Sequence, residues 1–200
     1  MKNAIVIGAH PDDIEVSCGA FVKKLGETYN IYYIVASTTL ERTANKNIIR
    51  ELNRCVERMN IKELRILNFP NTKIPDYSWE IREILYDLNK KLMPELVICP
   101  STGEIHQDHK TLSEESVRAF RTTSLLGWIF EWSNFTTVPN FFFPLTKDQF
   151  IEKVQLVKLY RSQNYHSYAK LFLSIMAVNG ARIGVEWAEG FEVIRWIQRD

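Results

Sequence analysis

The 200-residue chain has few of the features that mark several large classes of protein. Its cysteines, Cys18, Cys55 and Cys99, are scattered in apolar contexts without a CxxC pair, which predicts buried free thiols in a reducing compartment. A net charge of +1, from 25 basic and 24 acidic residues, comes without a long basic run. The sequence therefore has no electrostatic footprint for nucleic acid, which we do not expect as a partner.

Long apolar stretches are also missing, and no segment is long enough to span a bilayer. After residues 1–3 the chain enters a strand-like run, and polar residues follow from His10, too early for the apolar core of a signal peptide. We therefore expect a cytoplasmic protein with no membrane span. The length suits one domain over residues 1–200, since no repeat, low-complexity tract or linker divides it.

Over the first 120 residues, apolar runs of strand length alternate with segments of helical periodicity. We predict strands at 4–8, 31–36, 64–69 and 96–99, helices at 14–26, 47–59, 79–92 and 107–121, and a polar loop at 37–47. This alternation predicts an α/β fold that is Rossmann-like, with a mostly parallel sheet covered by helices on both faces.

The last third of the chain is irregular and rich in aromatic residues. We predict strands at 127–132, 138–143 and 191–197, and helices at 147–160 and 171–182. An aromatic ring of this region, such as that of Trp132, could stack on a sugar. The alternative is that these rings fill the core or an interface of a homo-oligomer.

A first polar cluster follows the first predicted strand, and such strand ends are where open α/β sheets place their ligands. The cluster sets His10, Asp12 and Asp13 around a proline turn that leads into a helix. His10 and Asp13 can converge on one point there, while Asp12 stays free beside them. The alternative is an ordinary helix N-cap, in which a carboxylate accepts free backbone N–H groups.

A second cluster follows the fourth strand and should open on the same edge of a parallel sheet. His106 and His109 are three residues apart and so share one face of a helix, and either could complete a ligand set. Asp108 could hold a histidine ring in one tautomer. The alternative for two histidines at this spacing is a solvated helix face.

Together the clusters predict a catalytic site for a divalent metal, with zinc as the first choice and Fe²⁺ as another. A catalytic zinc takes three ligands from His, Asp and Glu and keeps a position for water, whose pKa it lowers. Asp12 would accept the proton of this metal-activated water as the water attacks an amide.

The same residues resemble a known family. The sequence Ala-His-Pro-Asp-Asp-Ile-Glu at 9–15, with Gly19 and with His-Gln-Asp-His at 106–109, is similar to the LmbE-like, or PIG-L, family of zinc-dependent N-deacetylases. Members remove acyl groups from N-acetylated amino sugars. Weaker similarities are Arg50-Glu51, Phe69-Pro70, Lys158, Ser162-Gln163 and residues 188–191.

The resemblance implies a role for each residue of the two clusters. It gives His10, Asp13 and His109 as the zinc ligands and Asp12 as the general base. It also implies that His106 polarises or protonates the tetrahedral intermediate.

The resemblance further implies that Asp108 orients His106. Two places depart from the family's pattern: the loop at 37–42 has no glycine, and Asn71 stands where an acidic residue is common. Both border the substrate in the family, so the identity of the sugar stays open. The candidate substrate contacts are Arg50, Asn71, Trp132, Gln163 and Glu189.

The predicted function is a metal-dependent hydrolase that removes an N-acetyl or similar small acyl group from an amino sugar, a sugar nucleotide or a glycoconjugate. The alternatives are an N-deformylase or other amidase, and a non-catalytic domain that binds glycans or nucleotides. A dinucleotide-binding domain is disfavoured because the glycine fingerprint is missing and the carboxylates of the first turn would repel a pyrophosphate.

Overall fold

A computed structural model describes residues 1–40, 47–163 and 165–198, leaving aside the side chains of 165–169. The backbone forms a seven-stranded sheet in the order β3-β2-β1-β4-β5-β7-β6. The strands are β1 (Lys2–Gly8), β2 (Tyr29–Val35), β3 (Glu63–Ile66), β4 (Leu96–Pro100), β5 (Ser124–Trp128), β6 (Phe141–Leu145) and β7 (Trp187–Arg195). The helices are α1 (Asp13–Leu25), α2 (Ile48–Arg58), α3 (Ser78–Leu92), α4 (Gln107–Ala119), α5 (Lys147–Val157) and α6 (Tyr165–Arg182), and a 3₁₀ turn spans Ile74–Tyr77.

The first five strands run parallel, and only β7 pairs antiparallel with both of its neighbours. The α/β fold with a mostly parallel sheet is thereby confirmed. The strands of the first half lie within a few residues of their predicted positions. Glu41 and Arg42 of the predicted polar loop lie outside the described residues.

Alternating side chains of β1 build the two halves of the core. Ala4 and Val6 pack with apolar residues of α1, α2 and α5, while Ile5 and Ile7 pack with those of α3 and α4. A strand buried on both faces reads as a continuous apolar run, which is the pattern of β1, β2 and β4 in the sequence. The helices therefore cover both faces of the sheet, as predicted.

The last third departs from its predicted boundaries. The strand predicted at 127–132 ends at Trp128, and the chain beyond it turns to form an isolated bridge between Glu104 and Asn134. The strands expected at 138–143 and 191–197 lie at 141–145 and 187–195, and the last helix begins at Tyr165 rather than at 171. These elements pair over long sequence distances, so local periodicity marks their ends poorly.

The ends of β1 and β4 lie side by side because these strands are parallel neighbours in the sheet. The loops that follow them leave the same edge, and the indole N–H of Trp128 on β5 donates to the carbonyl oxygen of Ile7 at 2.8 Å. The two polar clusters of the sequence are therefore brought together. Among the described residues, none of the helices has the length and apolar character needed to cross a membrane.

Candidate metal centre

Asp13 is the first residue of α1, and its carboxylate organises the turn before that helix. Its Oδ2 accepts the backbone N–H groups of Ala9 and His10, both at 2.8 Å. Its Oδ1 lies 3.4 Å from Nε2 of His109. One oxygen thus holds the turn before α1 and does not cap the helix as the N-cap alternative required, and the other points at a histidine of the second cluster.

His109 lies in the first turns of α4 and is buried, with 3% of its surface exposed. Its Nδ1 lies 2.9 Å from Oε2 of Glu104, and this same oxygen accepts the hydroxyl of Ser133 at 2.7 Å. The ring of Trp128 packs edge-on at 5.0 Å between centroids. Glu104 therefore fixes the far side of the imidazole and leaves Nε2 facing Asp13.

His10 is held in the same way from another loop. Its Nδ1 lies 3.8 Å from Oδ2 of Asp13, while its Nε2 lies 3.0 Å from Oδ2 of Asp108. Asp108 also accepts the backbone N–H of Thr72 at 2.8 Å. The loop after β3 therefore joins the loop of the second cluster at this point.

The expected pairing of Asp108 with His106 needs correction. The carboxylate of Asp108 hydrogen-bonds the His10 ring, whereas the hydrogen bond between His106 and Asp108 runs from the backbone N–H of Asp108 to Nδ1 of His106 at 3.3 Å. His106 is the N-cap of α4, and this position turns its ring towards the other histidines: the centroids lie 5.3 Å from His10 and 4.7 Å from His109. Asp108 therefore positions His10 rather than His106.

The residues present fit a divalent cation. The candidate ligand atoms of His10, Asp13 and His109 all lie within 4.8 Å of one another, and His10, His106 and Asp108 form an overlapping set. Each of the rings of His10 and His109 places one nitrogen on a carboxylate, which favours the N–H there and leaves a lone pair for the nitrogen facing Asp13. Metal-binding histidines are usually held by such a carboxylate partner.

Burial and charge shift the pKa values of the centre in a consistent way. Burial lowers the pKa of His109, but Asp13 and Glu104 outweigh it and raise the pKa to about 10. Burial, followed by His109 and His10, lowers the pKa of His106, which favours the neutral ring. Without a cation, the carboxylates thus hold a proton on His109 at the place where a metal would bind.

Asp12 lies in the left-handed region, with φ of 88°. Such a backbone on a non-glycine residue costs about 1–3 kcal/mol and is concentrated at functional sites. Its side chain makes no cap hydrogen bond to α1, and its pKa is raised well above the usual value by burial, then by Asp13 and Glu15. The Asp12 carboxylate therefore does not cap the helix, and its raised pKa favours the uptake of a proton.

The candidate substrate contacts are spread over the molecule. Asn71 is half-buried next to Thr72, and so lies in the loop that reaches Asp108. Trp132 is 61% exposed in the segment after β5. Gln163 is half-buried in the turn after α5.

The two remaining candidates lie elsewhere. Arg50 is exposed on the first turn of α2, in a surface hollow lined by other residues of that helix. Glu189 is buried, with 1% of its surface exposed, and its oxygens accept the N–H groups of Ala20 and Phe21 and the ammonium of Lys153. These hydrogen bonds give Glu189 a structural role, and its contact with substrate stays a prediction.

Glu104 is the functional residue that the sequence analysis missed. It lies in the loop between β4 and α4, two residues before His106, and an acidic residue in a ligand-bearing loop was the available signal. Its other oxygen lies 3.4 Å from the backbone N–H of Phe130 and 3.4 Å from the side-chain amide of Asn134. These partners come from the segment after β5, whose irregular path the sequence did not predict.

Comparison with known proteins places the chain in a family. Residues 5–120 match the PIG-L family, described as GlcNAc-PI de-N-acetylase. The chain belongs to the PIG-L family. It is similar to the uncharacterized deacetylase YaiS of Escherichia coli K12, with 26% identity over 80% of this chain and 91% of that protein. It is also similar to the diacetylchitobiose deacetylase of Thermococcus kodakarensis, with 24% identity over 97% of this chain and 84% of that protein.

The fold is shared with solved structures. The N,N'-diacetylchitobiose deacetylase from Pyrococcus horikoshii, in complex with an inhibitor, superposes with a TM-score of 0.82 at 19% identity. The match covers 96% of this chain and 84% of that chain. The matched family region contains both polar clusters, so the resemblance read from the sequence is confirmed at the level of family and fold.

Proposed function

We propose that the protein is a metal-dependent hydrolase that removes an N-acetyl or similar small acyl group from an amino-sugar substrate. One observation carries the proposal. Two histidines from separate loops turn their free nitrogens towards Asp13, each held from behind by a carboxylate, with the unused carboxylate of Asp12 alongside. This is the arrangement of a hydrolytic metal site, in which three protein ligands leave room for water.

His10, Asp13 and His109 would hold the cation, with Zn²⁺ as the first choice and Fe²⁺ as another. When bound, the metal supplies Lewis acidity, which makes a water acidic and polarises the substrate carbonyl. Asp108 and Glu104 keep the two imidazoles in the tautomer that binds metal. The protein thus contributes a rigid set of donors that is neutral on its histidines and anionic on Asp13.

Asp12 would take the proton of the attacking water, since its environment favours proton uptake. His106 would stabilise the negative charge on the amide oxygen. Its Nδ1 accepts the backbone N–H of Asp108, which leaves the hydrogen on Nε2, and its lowered pKa keeps the ring neutral. A neutral N–H donor preorganised towards the reacting carbonyl is the usual device for such charge.

An amino sugar is the proposed partner because the named relatives with the same fold act on diacetylchitobiose. Asn71 is a proposed contact because its neighbour Thr72 binds Asp108, and Trp132, Arg50 and Gln163 remain proposed contacts. The exposed indole of Trp132 offers a face on which a sugar ring can stack.

The test is a release assay for free amine. Protein stripped of metal and reloaded with Zn²⁺ or Fe²⁺ is incubated with N-acetyl and N-formyl amino sugars and with N-acetylated sugar nucleotides. We expect metal-dependent release from at least one of them, and the preferred acyl group decides between deacetylase and deformylase.

Asp12→Asn is the matched variant for this assay. It should keep its metal by elemental analysis and lose about 10²- to 10⁴-fold in rate, the usual contribution of a general base. A variant with the rate of the unmodified protein would refute the role of Asp12. No release from any substrate by metal-loaded protein would refute the proposed function itself.

A further inference from the structure

A cavity lies between α1, α6 and the segment that follows β5. The space open to the centre of a water-sized molecule is about 40 Å³, within about 520 Å³ of free space that includes the solvent at the open mouth. Trp132 lies at this cavity and is largely exposed, so the cavity is reached from the surface. The apolar part of the wall is formed by Val16, Phe130, Leu171, Phe172, Ile175 and Met176.

Two residues that line this cavity, Val16 and Phe130, also contact residues of the candidate metal centre. The backbone N–H of Val16 donates to the carbonyl oxygen of Asp12 at 2.9 Å, so Val16 is one helical turn from the proposed base. The ring of Phe130 lies 5.8 Å from that of His109, between centroids, and the Phe130 N–H contacts Glu104. The cavity therefore adjoins the candidate metal centre through these two lining residues.

The charged groups of the cavity argue against an anionic occupant. Lys153 is buried, with 1% of its surface exposed, but its ammonium lies 2.5 Å from Oε1 of Glu189 and is neutralised by it. Glu131 is also a lining residue, and its carboxylate, on which the charge of Arg182 acts, adds no positive charge to attract an anion. The rest of the cavity wall is largely apolar, and burying an alkyl or aryl group against it is favourable in free energy.

We propose that this cavity is a subsite for an apolar group, an alkyl chain or an aryl ring, carried by the substrate that is hydrolysed at the metal centre. The inference rests on the proposed function and names a substrate class for it. Such a group belongs either to the aglycone of the amino sugar or to its N-acyl chain, and both have the same chemistry.

The experiment compares three substrates with metal-loaded protein: methyl N-acetylglucosaminide, its hexyl glycoside, and methyl N-hexanoylglucosaminide. We expect at least one of the two apolar substrates to exceed the methyl N-acetyl compound by about 10-fold or more in kcat/KM, since each methylene in a fitted pocket counts. A gain with the hexyl glycoside assigns the group to the aglycone, and a gain with the hexanoyl amide assigns it to the acyl chain. Equal or lower values for both overturn the inference while leaving the hydrolase intact.

Ile175→Trp fills the cavity from α6, and Val178→Trp is its matched control, because Val178 is 48% exposed on the same helix. The ratio of kcat/KM between the favoured apolar substrate and the methyl compound should fall towards one in Ile175→Trp and stay unchanged in Val178→Trp. An unchanged ratio in a folded Ile175→Trp variant overturns the inference.

Calorimetric binding of the hexyl and methyl glycosides to the unmodified protein separates the two proposals. If no substrate is hydrolysed but the hexyl glycoside binds about 10-fold more tightly, the hydrolase proposal fails and the apolar subsite stands. If the two glycosides bind equally tightly and the apolar group does not change kcat/KM, the subsite is overturned and the hydrolase proposal stands.

Discussion

Helix α1 meets a buried carboxylate at two places, and the two carboxylates are used differently. Asp13 at its start accepts two backbone N–H groups on one oxygen, and Glu189 accepts the N–H groups of Ala20 and Phe21 after the backbone departs from helical geometry at Cys18. Both therefore satisfy amide groups at the beginning of a helical segment. They differ in the charged groups that lie next to the carboxylate.

Glu189 has its own counter-ion within the chain, the ammonium of Lys153. Among the described residues, the cationic partners of Asp13 are imidazoles, and the nearest of these is backed by a second carboxylate, that of Glu104. A buried carboxylate that is paired with an ammonium group needs no additional counter-ion. The negative charge at the start of α1 is therefore not balanced and favours a bound cation, whereas the charge of Glu189 is balanced by Lys153.

The sharpest way to break this comparison is to make the same change, carboxylate to amide, at both places. Asp13→Asn removes a proposed metal ligand, and we expect metal content to collapse and activity to fall more than about 100-fold, beyond the effect of losing a supporting residue. Glu189→Gln should retain full metal content. Elemental analysis of both purified variants measures their metal content. Equal metal loss in the two would contradict the difference that we describe between Asp13 and Glu189.

Removing the ammonium that balances Glu189 should give the next largest effect. Lys153→Met leaves the buried carboxylate of Glu189 without its counter-ion, which costs about 3–5 kcal/mol of unfolding free energy. Chemical denaturation measures this change in unfolding free energy.

Two comparisons control this prediction. Lys91→Met breaks a surface pair whose lysine is 70% exposed and should cost no more than about 1 kcal/mol. The double variant Lys153→Met/Glu189→Gln should recover part of the loss. If Lys153→Met is no more destabilising than Lys91→Met, the buried pair is not the balanced pair that we describe.

A smaller effect should come from the carboxylates behind the two histidines. Glu104→Gln and Asp108→Asn keep the ligands but weaken their orientation, so metal affinity should fall about 10- to 100-fold in each. Titration against a chelator of known affinity measures this, with Asp87→Asn on the surface of α3 as the control. Affinities that match the control would remove these residues from the metal centre.

The smallest effect concerns an ion-pair cluster that reaches α1 at the surface. Arg58 and Lys23 outweigh partial burial and lower the pKa of Glu152 from 4.5 to about 2. Because the folded pKa is the lower one, this stabilisation is present above pH 4.5 and is lost as the pH falls towards 2. Solvent screens the pair, so the contribution should be less than about 1 kcal/mol.

Urea unfolding at pH 6, 4 and 3 tests this, by comparing the protein with Glu152→Gln. The difference in unfolding free energy should be largest at pH 6 and smaller at pH 3, and it should close only as the pH approaches 2. A constant difference across this range would show that Glu152 does not titrate as described.

The sequence by itself determined the parallel half of the fold. Each of β1, β2 and β4 is buried on both faces and so reads as an uninterrupted apolar run, and the helices between them have a strong periodicity. Since parallel strands end at one edge, the sequence also brought the loop of His10 and Asp13 next to that of His109. These inferences need only local pattern and a general rule of topology.

Only the tertiary structure decided how the charges at the two places on α1 are matched. It showed that Asp108 turns to His10, that Glu104 backs His109, and that Glu189 meets Ala20 across 169 positions of sequence. It also inserted β7 antiparallel between β5 and β6. The physical reason is the same in each case: a contact between residues far apart in the chain leaves no periodicity in either segment, so folding alone determines which partners meet.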